Sequence, residues 1–281
     1  MRYNAYYNGK FTSVSKVRIP LTDRAVYFGD GIYDAVLGKD EKCFLLEYHL
    51  KRLFSNAEKM NLSFPIEKDA LLSAIQKLTC RVSGYFFLYI QLTRTGKERR
   101  HSYSDAEKSN LLITVTATCA PNAEKTVSLI GEEDIRYFMC DVKTINLIPA
   151  VIASHKAEMM GADEAVFHRG ETVTECAHSN VYIIKHGTVY THPNSNLILP
   201  GIERMHLMSV CKRLDIPCVE KPFTLSELRE ADEALITSTS KLGLRAASYE
   251  DIIYPTPKSS VGKEICQAML RDFEIDRDFS L

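Results

Sequence analysis

Asp141-Val-Lys-Thr-Ile-Asn-Leu147 sets one lysine, Lys143, among apolar and small polar neighbours, and Val173-Thr-Glu-Cys-Ala-His-Ser-Asn180 then sets one acidic residue, Glu175, in a second mixed segment. What surrounds this pair decides the fold. Glu164–Glu175 is predicted as a hairpin turning at Arg169-Gly170, and Asn180–Thr191 as another turning at His186-Gly187. Pro200-Gly201 stops the chain before a helix from about Ile202 to Leu214, with an apolar stripe of Leu207, Val210, Cys211 and Leu214. Towards the amino terminus, Ala120-Pro-Asn-Ala-Glu-Lys125 looks like a linker. Before it lie strands at Tyr85–Thr93 and Leu111–Thr118 and helices at Glu47–Asn61 and Asp69–Cys80. A first hairpin carries the two-residue turn signal Asn8-Gly9. Strands and helices interleave without a regular βαβ period, which argues for α+β architecture rather than a doubly wound sheet. The expected domains are a small one over 1–119, a linker over 120–126, and a larger carboxy-terminal one over 127–281 that carries Lys143.

Composition excludes several classes. The 281 residues are 45% hydrophobic and 25% charged, ordinary for a soluble globular protein. A net charge of −1 gives no global attraction to nucleic acid or anionic lipid. None of the eight cysteines forms a Cys-x-x-Cys pair, so free thiols in a reducing cytoplasm are expected, with no metal site; Cys176-x-His178 is too short for tetrahedral zinc. The apolar runs around Phe86–Ile90 and Leu111–Val115 are far too short to span a bilayer.

A lysine amine can form a Schiff base with pyridoxal 5′-phosphate, and a carboxylate can pair with the pyridine nitrogen so that the ring accepts electrons. Lys143 and Glu175 are candidates for those roles, although a lone lysine usually snorkels to the surface and an acid in a threonine-rich segment is more often a cap. Pro200-Gly201-Ile202 at a helix start is a potential anion site. Thr237-Ser-Thr-Ser240 could donate to a phosphate or merely cap the next element. Arg52, near the middle of an amphipathic helix, would ordinarily be a solvated charge. Each signal is weak alone, but their order along the chain is specific.

In that order the chain resembles the class IV (fold type IV) pyridoxal-phosphate aminotransferases. The resemblance runs from Asn8-Gly9 through Thr22-Asp-Arg-Ala-Val-Tyr-Phe-Gly-Asp-Gly-Ile-Tyr33, His49-Leu-Lys-Arg-Leu-Phe54, Asp141-Val-Lys-Thr-Ile-Asn146 and Leu197-Ile-Leu-Pro-Gly-Ile202 to Thr237-Ser-Thr239. It implies two domains with the cofactor at their interface. It implies that Lys143 carries the Schiff base and moves the proton, that Glu175 pairs with the ring nitrogen, and that Leu199 packs on the ring. Arg52, the backbone of Ile202 and Glu203, and Ser238 and Thr239 would hold the phosphate. Glu203 stands where the family commonly has a threonine, so its carboxylate is expected to point away from that phosphate.

Within the family the segment Gln91-Leu-Thr-Arg-Thr-Gly-Lys-Glu-Arg-Arg-His101 resembles D-amino acid transaminases, which carry an Arg-x-His there. That likeness implies a homodimer in which Arg99 and His101 reach in from the partner subunit to bind the substrate carboxylate with Tyr33, while Tyr89 lines the pocket. The expected reaction moves an amino group from a D-alanine-like amino acid to a 2-oxoglutarate-like acid by ping-pong kinetics. The alternatives are branched-chain L-amino acid transamination and aminodeoxychorismate lyase chemistry. Two departures from the D-amino acid pattern bear on substrate range. Cys176-Ala-His178-Ser replaces a glycine followed by serines, and Lys241-Leu-Gly-Leu-Arg245 replaces a polar, proline-containing stretch.

Overall fold

In the computed structural model, which describes residues 3–104, 109–255 and 260–275, the chain divides into two compact units. The first comprises Met1–Ala120 with Val142–Asn146, and the second comprises Pro121–Asp141 with Leu147–Asp276. This corrects one expectation. The segment bearing Lys143 belongs with the first unit, not with the carboxy-terminal domain. Residues 276–281 of the expected second domain lie outside the described residues.

The first unit holds β1 (Ala5–Tyr7), β2 (Lys10–Thr12), α1 (Arg24–Phe28), β3 (Gly31–Lys39), β4 (Lys42–Cys43), α2 (Leu46–Lys59), α3 (Lys68–Thr79), β5 (Tyr85–Arg94) and β6 (Ser109–Ala117). Its strands form an antiparallel sheet in the order β2-β1-β6-β5-β3-β4. Period-two alternation sorts the long strand β5 cleanly. Phe86, Leu88, Ile90 and Leu92 are buried with Leu50, Leu53, Leu71 and Ile75 of α2 and α3. Tyr85, Phe87, Tyr89 and Gln91 are only partly buried and take the opposite face. At roughly 25 cal/mol per Å² the apolar face is what fixes the strand register, since a one-residue slip would exchange the two faces.

The second unit holds β7 (Thr126–Glu133), α4 (Ile148–Met159), β8 (Glu164–Arg169), β9 (Thr172–Cys176), β10 (Asn180–Lys185), β11 (Thr188–Thr191), α5 (Ile202–Arg213), β12 (Cys218–Glu220), α6 (Leu225–Arg229), β13 (Glu233–Ser238), β14 (Leu242–Tyr249), β15 (Ile252–Ile253) and α7 (Val261–Ile275). The mixed sheet runs β12-β11-β10-β13-β14-β7-β8-β9, with β15 beside β14. Strand β10 is covered on both faces, which is why its sequence is continuously apolar rather than alternating. Val181 and Ile183 join Val127, Val166, Ile236 and Leu244 on one side, whereas Tyr182 and Ile184 pack with Leu207, Val210 and Met269 of α5 and α7 on the other. Both expected hairpins of this unit form, β8–β9 and β10–β11.

The Lys143 segment is held by backbone bonds to the start of β3. Lys143 O accepts from Tyr33 N at 3.0 Å, Ile145 N donates to Gly31 O at 3.1 Å, and Asn146 Nδ2 donates to Gly29 O at 2.8 Å. Gly29 caps α1 in the left-handed region, at φ 61°, and a Cβ there would lie 2.6 Å from Asn146 Oδ1. Gly29→Ala therefore combines backbone strain with a clash against the residue that anchors the lysine segment. The expected loss is about 2 kcal/mol in chemical denaturation. Asn146→Ala in the same chain should recover the steric part, and strictly additive losses would contradict the contact.

Candidate active site

The expected site residues fall in both units. Lys143, Tyr33, Tyr89, Arg52, Arg99 and His101 belong to the first, while Glu175, Leu199, Ile202, Glu203, Ser238 and Thr239 belong to the second.

In the first unit, Lys143 Nζ stands 4.4 Å from the centre of the Tyr33 ring, within cation–π range. Tyr33 stacks on Tyr89 with centroids 5.5 Å apart, and Tyr89 Oη donates to Gln91 Oε1 at 2.7 Å. The pairing of Tyr33 with Gln91 and of Ala35 with Tyr89 puts these aromatic groups diagonally on one face of the sheet. Burial, with Tyr33 adding to it, pushes the Tyr89 hydroxyl up to about 12, so it serves as a neutral donor. On the other face lies Asp34, fully buried at the level of its side chain. Its Oδ2 accepts from Arg52 Nε at 2.9 Å, and its Oδ1 accepts from Arg52 Nη2 at 2.8 Å and lies 2.8 Å from His49 Nδ1. Burial opposes ionisation of Asp34, but the Arg52 and His49 charges and hydrogen bonds outweigh it and hold the carboxyl well below the usual range. Arg52 is thus a buried, forked ion-pair partner rather than the solvated charge that helix position alone suggests.

In the second unit, Glu175 ends up buried in β9. Its Oε1 accepts from Arg136 Nη1 at 2.6 Å, and its Oε2 accepts from Asn180 Nδ2 and from the Leu199 backbone N–H, both at 3.0 Å. Asn180 also donates to Leu199 O at 3.0 Å. Arg136 is in turn forked onto Asp134, which also receives Arg169 and Thr174. Burial works against the Asp134 carboxylate, yet its hydrogen bonds and charge attraction from Arg136 keep its pKa lowered; the same partners, Glu175 first, raise that of Arg136 against burial. Arg136, Asp134 and Asn180 were not singled out as site residues from sequence. The run Asp134-Ile-Arg136 held the signal, an acid and a base on the same side of an extended segment.

Gly201 precedes α5 and supplies no side-chain cap, so the start of this twelve-residue helix keeps its amide donors and dipole for an anion. A Cβ on Gly201 would collide with Asn180 Oδ1, which ties the glycine to the residue that holds Glu175. Ile202 and Glu203 are buried, and Ser238 and Thr239 close β13 and its following turn, half-buried. This donor set, a helix start with two hydroxyl side chains, fits a phosphate group, and the buried Glu175 carboxylate fits a protonated ring nitrogen.

Glu203 turns its carboxylate inward. Oε2 lies 3.2 Å from His206 Nδ1, and His206 Nε2 lies 2.9 Å from Asp272 Oδ2, which Arg213 also binds.

Arg99 and His101 sit together on an exposed loop. The Arg99 guanidinium lies 5.3 Å from the Phe28 ring and 5.9 Å from Tyr27, and the His101 ring lies 5.2 Å from Phe28. Their described contacts are with α1, and none is with Tyr33 or Tyr89 of the same chain. The loop backbone is clamped by buried Arg24, which donates to the carbonyls of Arg100 at 2.5 Å and His101 at 3.0 Å and pairs with Asp30 at 2.7 Å. Arg94 shares Asp30, and its guanidinium lies 3.7 Å from the Tyr103 ring. His178 Nδ1 lies 2.9 Å from Glu164 Oε1.

With this geometry in hand, comparison with known proteins defines the class. The family model described as Amino-transferase class IV matches residues 31–249. The chain belongs to the class IV aminotransferases. A D-alanine aminotransferase of Listeria innocua is 38% identical over 239 residues, covering 83% of each chain. One of Staphylococcus aureus is 36% identical over 239 residues, covering 84% of this chain and 85% of its own. Among solved structures, the branched-chain aminotransferase of Thermoproteus uzoniensis with norvaline superposes with a TM-score of 0.88 over 96% of this chain and 94% of its own, at 18% identity. The branched-chain enzyme of Escherichia coli gives 0.85 over 98% and 95%, also at 18%. At that identity the likeness establishes the fold alone.

The histidine between Glu203 and Asp272 gives a pH prediction. Burial lowers the His206 pKa, but the bonds to Asp272 and Glu203 prevail and raise it to about 9. A folded-state pKa above the ordinary 6.5 means that the stabilisation is complete below about 6.5 and is lost as pH rises through about 9. His206→Gln should cost about 3 kcal/mol near pH 6 by leaving the carboxylates short of charge. Urea melts at pH 6, 8 and 10 should show this gap closing with pH; a constant gap would mean that His206 is neutral in the fold.

Proposed function

We propose that this chain transfers an amino group from a D-amino acid of the D-alanine kind to a 2-oxo acid of the 2-oxoglutarate kind, with pyridoxal 5′-phosphate as cofactor. One observation carries the reading: curated relatives 36–39% identical, over about four fifths of the chain, are D-alanine aminotransferases. The branched-chain alternative rests on structures only 18% identical.

When bound, the cofactor supplies an electron-accepting ring conjugated to the carbon that exchanges the amino group. The rest is done by side chains. Lys143 is proposed as the group that holds the cofactor covalently and carries the proton to and from the substrate α-carbon at Nζ. Its position is supported by the two backbone bonds that pin Val142–Asn146 to β3 and by the Asn146 side-chain bond to Gly29 O at the end of α1. Glu175 is proposed as acceptor for the ring N–H. Arg136, Asn180 and the Leu199 amide orient its carboxylate. Leu199 would pack on the ring. For the phosphate the proposed ligands are Arg52, Ser238, Thr239 and the backbone N–H groups of Ile202 and Glu203. Asp34 grips the Nε–Nη2 edge of Arg52 and fixes the orientation of its guanidinium.

Arg99 and His101 are proposed to bind the substrate carboxylate from a second copy of the chain, beside Tyr33 and Tyr89. Their exposure, their clamped backbone, and their contacts with α1 instead of their own Tyr33 support action in trans. Amino donor and acceptor would use the same groups in turn, giving ping-pong kinetics. A cytoplasmic setting is part of the proposal. Among the described residues, no helix is long and apolar enough to cross a membrane.

D-alanine should convert the absorbance of the bound cofactor in a single half-reaction, while L-leucine and L-valine should not. The reverse preference would assign the chain to the branched-chain activity. Release of p-aminobenzoate from aminodeoxychorismate without a 2-oxo acid would assign it to the lyase. Lys143→Ala should abolish turnover. Arg99→Ala should act mainly on KM for the amino acid, about 100-fold, with a smaller change in kcat; an unchanged KM would return that loop to an ordinary solvated surface.

A further inference from the structure

The two departures from the D-amino acid pattern, at His178 and at Lys241, lie far apart in sequence and meet on one buried side chain. Glu164 opens β8, and its side chain has no solvent exposure. Its Oε1 lies 2.9 Å from His178 Nδ1 and 3.3 Å from its neighbour's amide, Ala165 N. Its Oε2 accepts from Ser179 Oγ at 2.8 Å and from Lys241 Nζ at 3.3 Å. A buried carboxylate without a cationic partner is strongly unfavourable, so Lys241 supplies the compensating charge while His178 and Ser179 supply directed donors. Burial alone would raise the Glu164 pKa, but His178, Lys241 and Ser179 reverse that and keep it lowered.

What these partners carry gives the cluster its meaning. His178 and Ser179 belong to the tight loop between β9 and β10, closed by Cys176 N donating to Ser179 O at 2.7 Å. Glu175 and Asn180 flank that loop directly. Lys241 ends the turn after β13, where Lys241 N donates to Ser238 O at 3.1 Å and Ser238 and Ser240 share a hydroxyl contact of 3.2 Å. Ser238 and Thr239 are in that turn. We propose that Glu164 is a positioning residue for the cofactor: through His178, Ser179 and Lys241 it fastens the loop beside the ring-nitrogen acceptor to the turn that offers the phosphate hydroxyls. His178 and Lys241 are then the working parts of that fastening in this chain, not cofactor ligands. The inference rests on the function proposed above.

The test uses holoenzyme and measures cofactor retention by the visible absorbance left after serial dilution and filtration. Glu164→Gln keeps the shape but strands the Lys241 charge. It should weaken retention of pyridoxal phosphate about tenfold, as should Lys241→Ser, which strands the carboxylate. Lys241→Arg should retain the cofactor nearly as wild type does. The double variant Glu164→Gln/Lys241→Ser should be no worse than the poorer single one, because the two changes remove one interaction. With excess cofactor supplied, kcat should fall much less than affinity in each. Should Glu164→Gln fail to fold, Lys241→Ser and His178→Ser carry the test, since both residues reach solvent. Wild-type retention in Lys241→Ser, or a lowered melting temperature with unchanged retention, would reduce the cluster to packing and overturn the inference while leaving the transaminase reading intact. A wild-type protein that holds no pyridoxal phosphate would overturn both.

Discussion

Glu175 has its carboxylate buried in β9, where an anion loses most of the hydrogen bonds that bulk water would give it. Donors must then come from fixed parts of the chain, among them the Arg136 guanidinium, the Asn180 amide and the Leu199 backbone. Each donor has its own anchor. Arg136 is forked by Asp134 and lies 4.6 Å from the Phe167 ring, Asn180 is wedged against Gly201, and Leu199 is fixed by the same Asn180. One acid therefore ties the segment after β7, the β9–β10 loop and the approach to α5 into a single arrangement. Removing water around such a group makes each bond stronger and each missing bond more costly, so the arrangement is close to all-or-none.

Elements whose stability comes from a repeating pattern were legible in the sequence. The amphipathic helices α2 and α3, the alternation in β5 and the turn-marked hairpins follow from period and turn chemistry within a dozen residues. The affiliation of Val142–Asn146 was not legible. It depends on backbone bonds to Gly31 and Tyr33 and an Asn146 side-chain bond to Gly29 O, all more than a hundred positions away, and on a close approach that only Gly29 and Gly31 permit. Nothing local to Lys143 encodes that choice.

The candidate site divides in the same way. The order of Arg52, Lys143, Glu175, Gly201-Ile202 and Ser238-Thr239 was recognisable only as a resemblance to the class IV aminotransferases, since each residue taken alone reads as ordinary. The residues that hold those groups escaped notice. Asp34 hides in an apolar strand, Arg136 in a short loop and Glu164 at a strand start, and each reads locally as one more surface charge. Arg52 shows the cost of a local reading most clearly. Its helical position fits a solvated side chain, yet the partner that buries it lies on the neighbouring sheet.

Asp34, Glu164 and Glu175 repeat one device. Each is a buried carboxylate that receives a cation from elsewhere in the fold, and each cation or its loop carries a residue proposed to face the cofactor. Such pairs add little net stability, since desolvation offsets most of the attraction, but breaking one partner is expensive. We take them as devices of position. An apolar pair of equal volume would fill the same space and could keep the fold, but would let the attached loops drift by a fraction of an ångström, more than the proton transfer proposed for Lys143 would tolerate. That asymmetry explains why a chain with ample apolar core in both units nonetheless puts charge where burial makes it most costly.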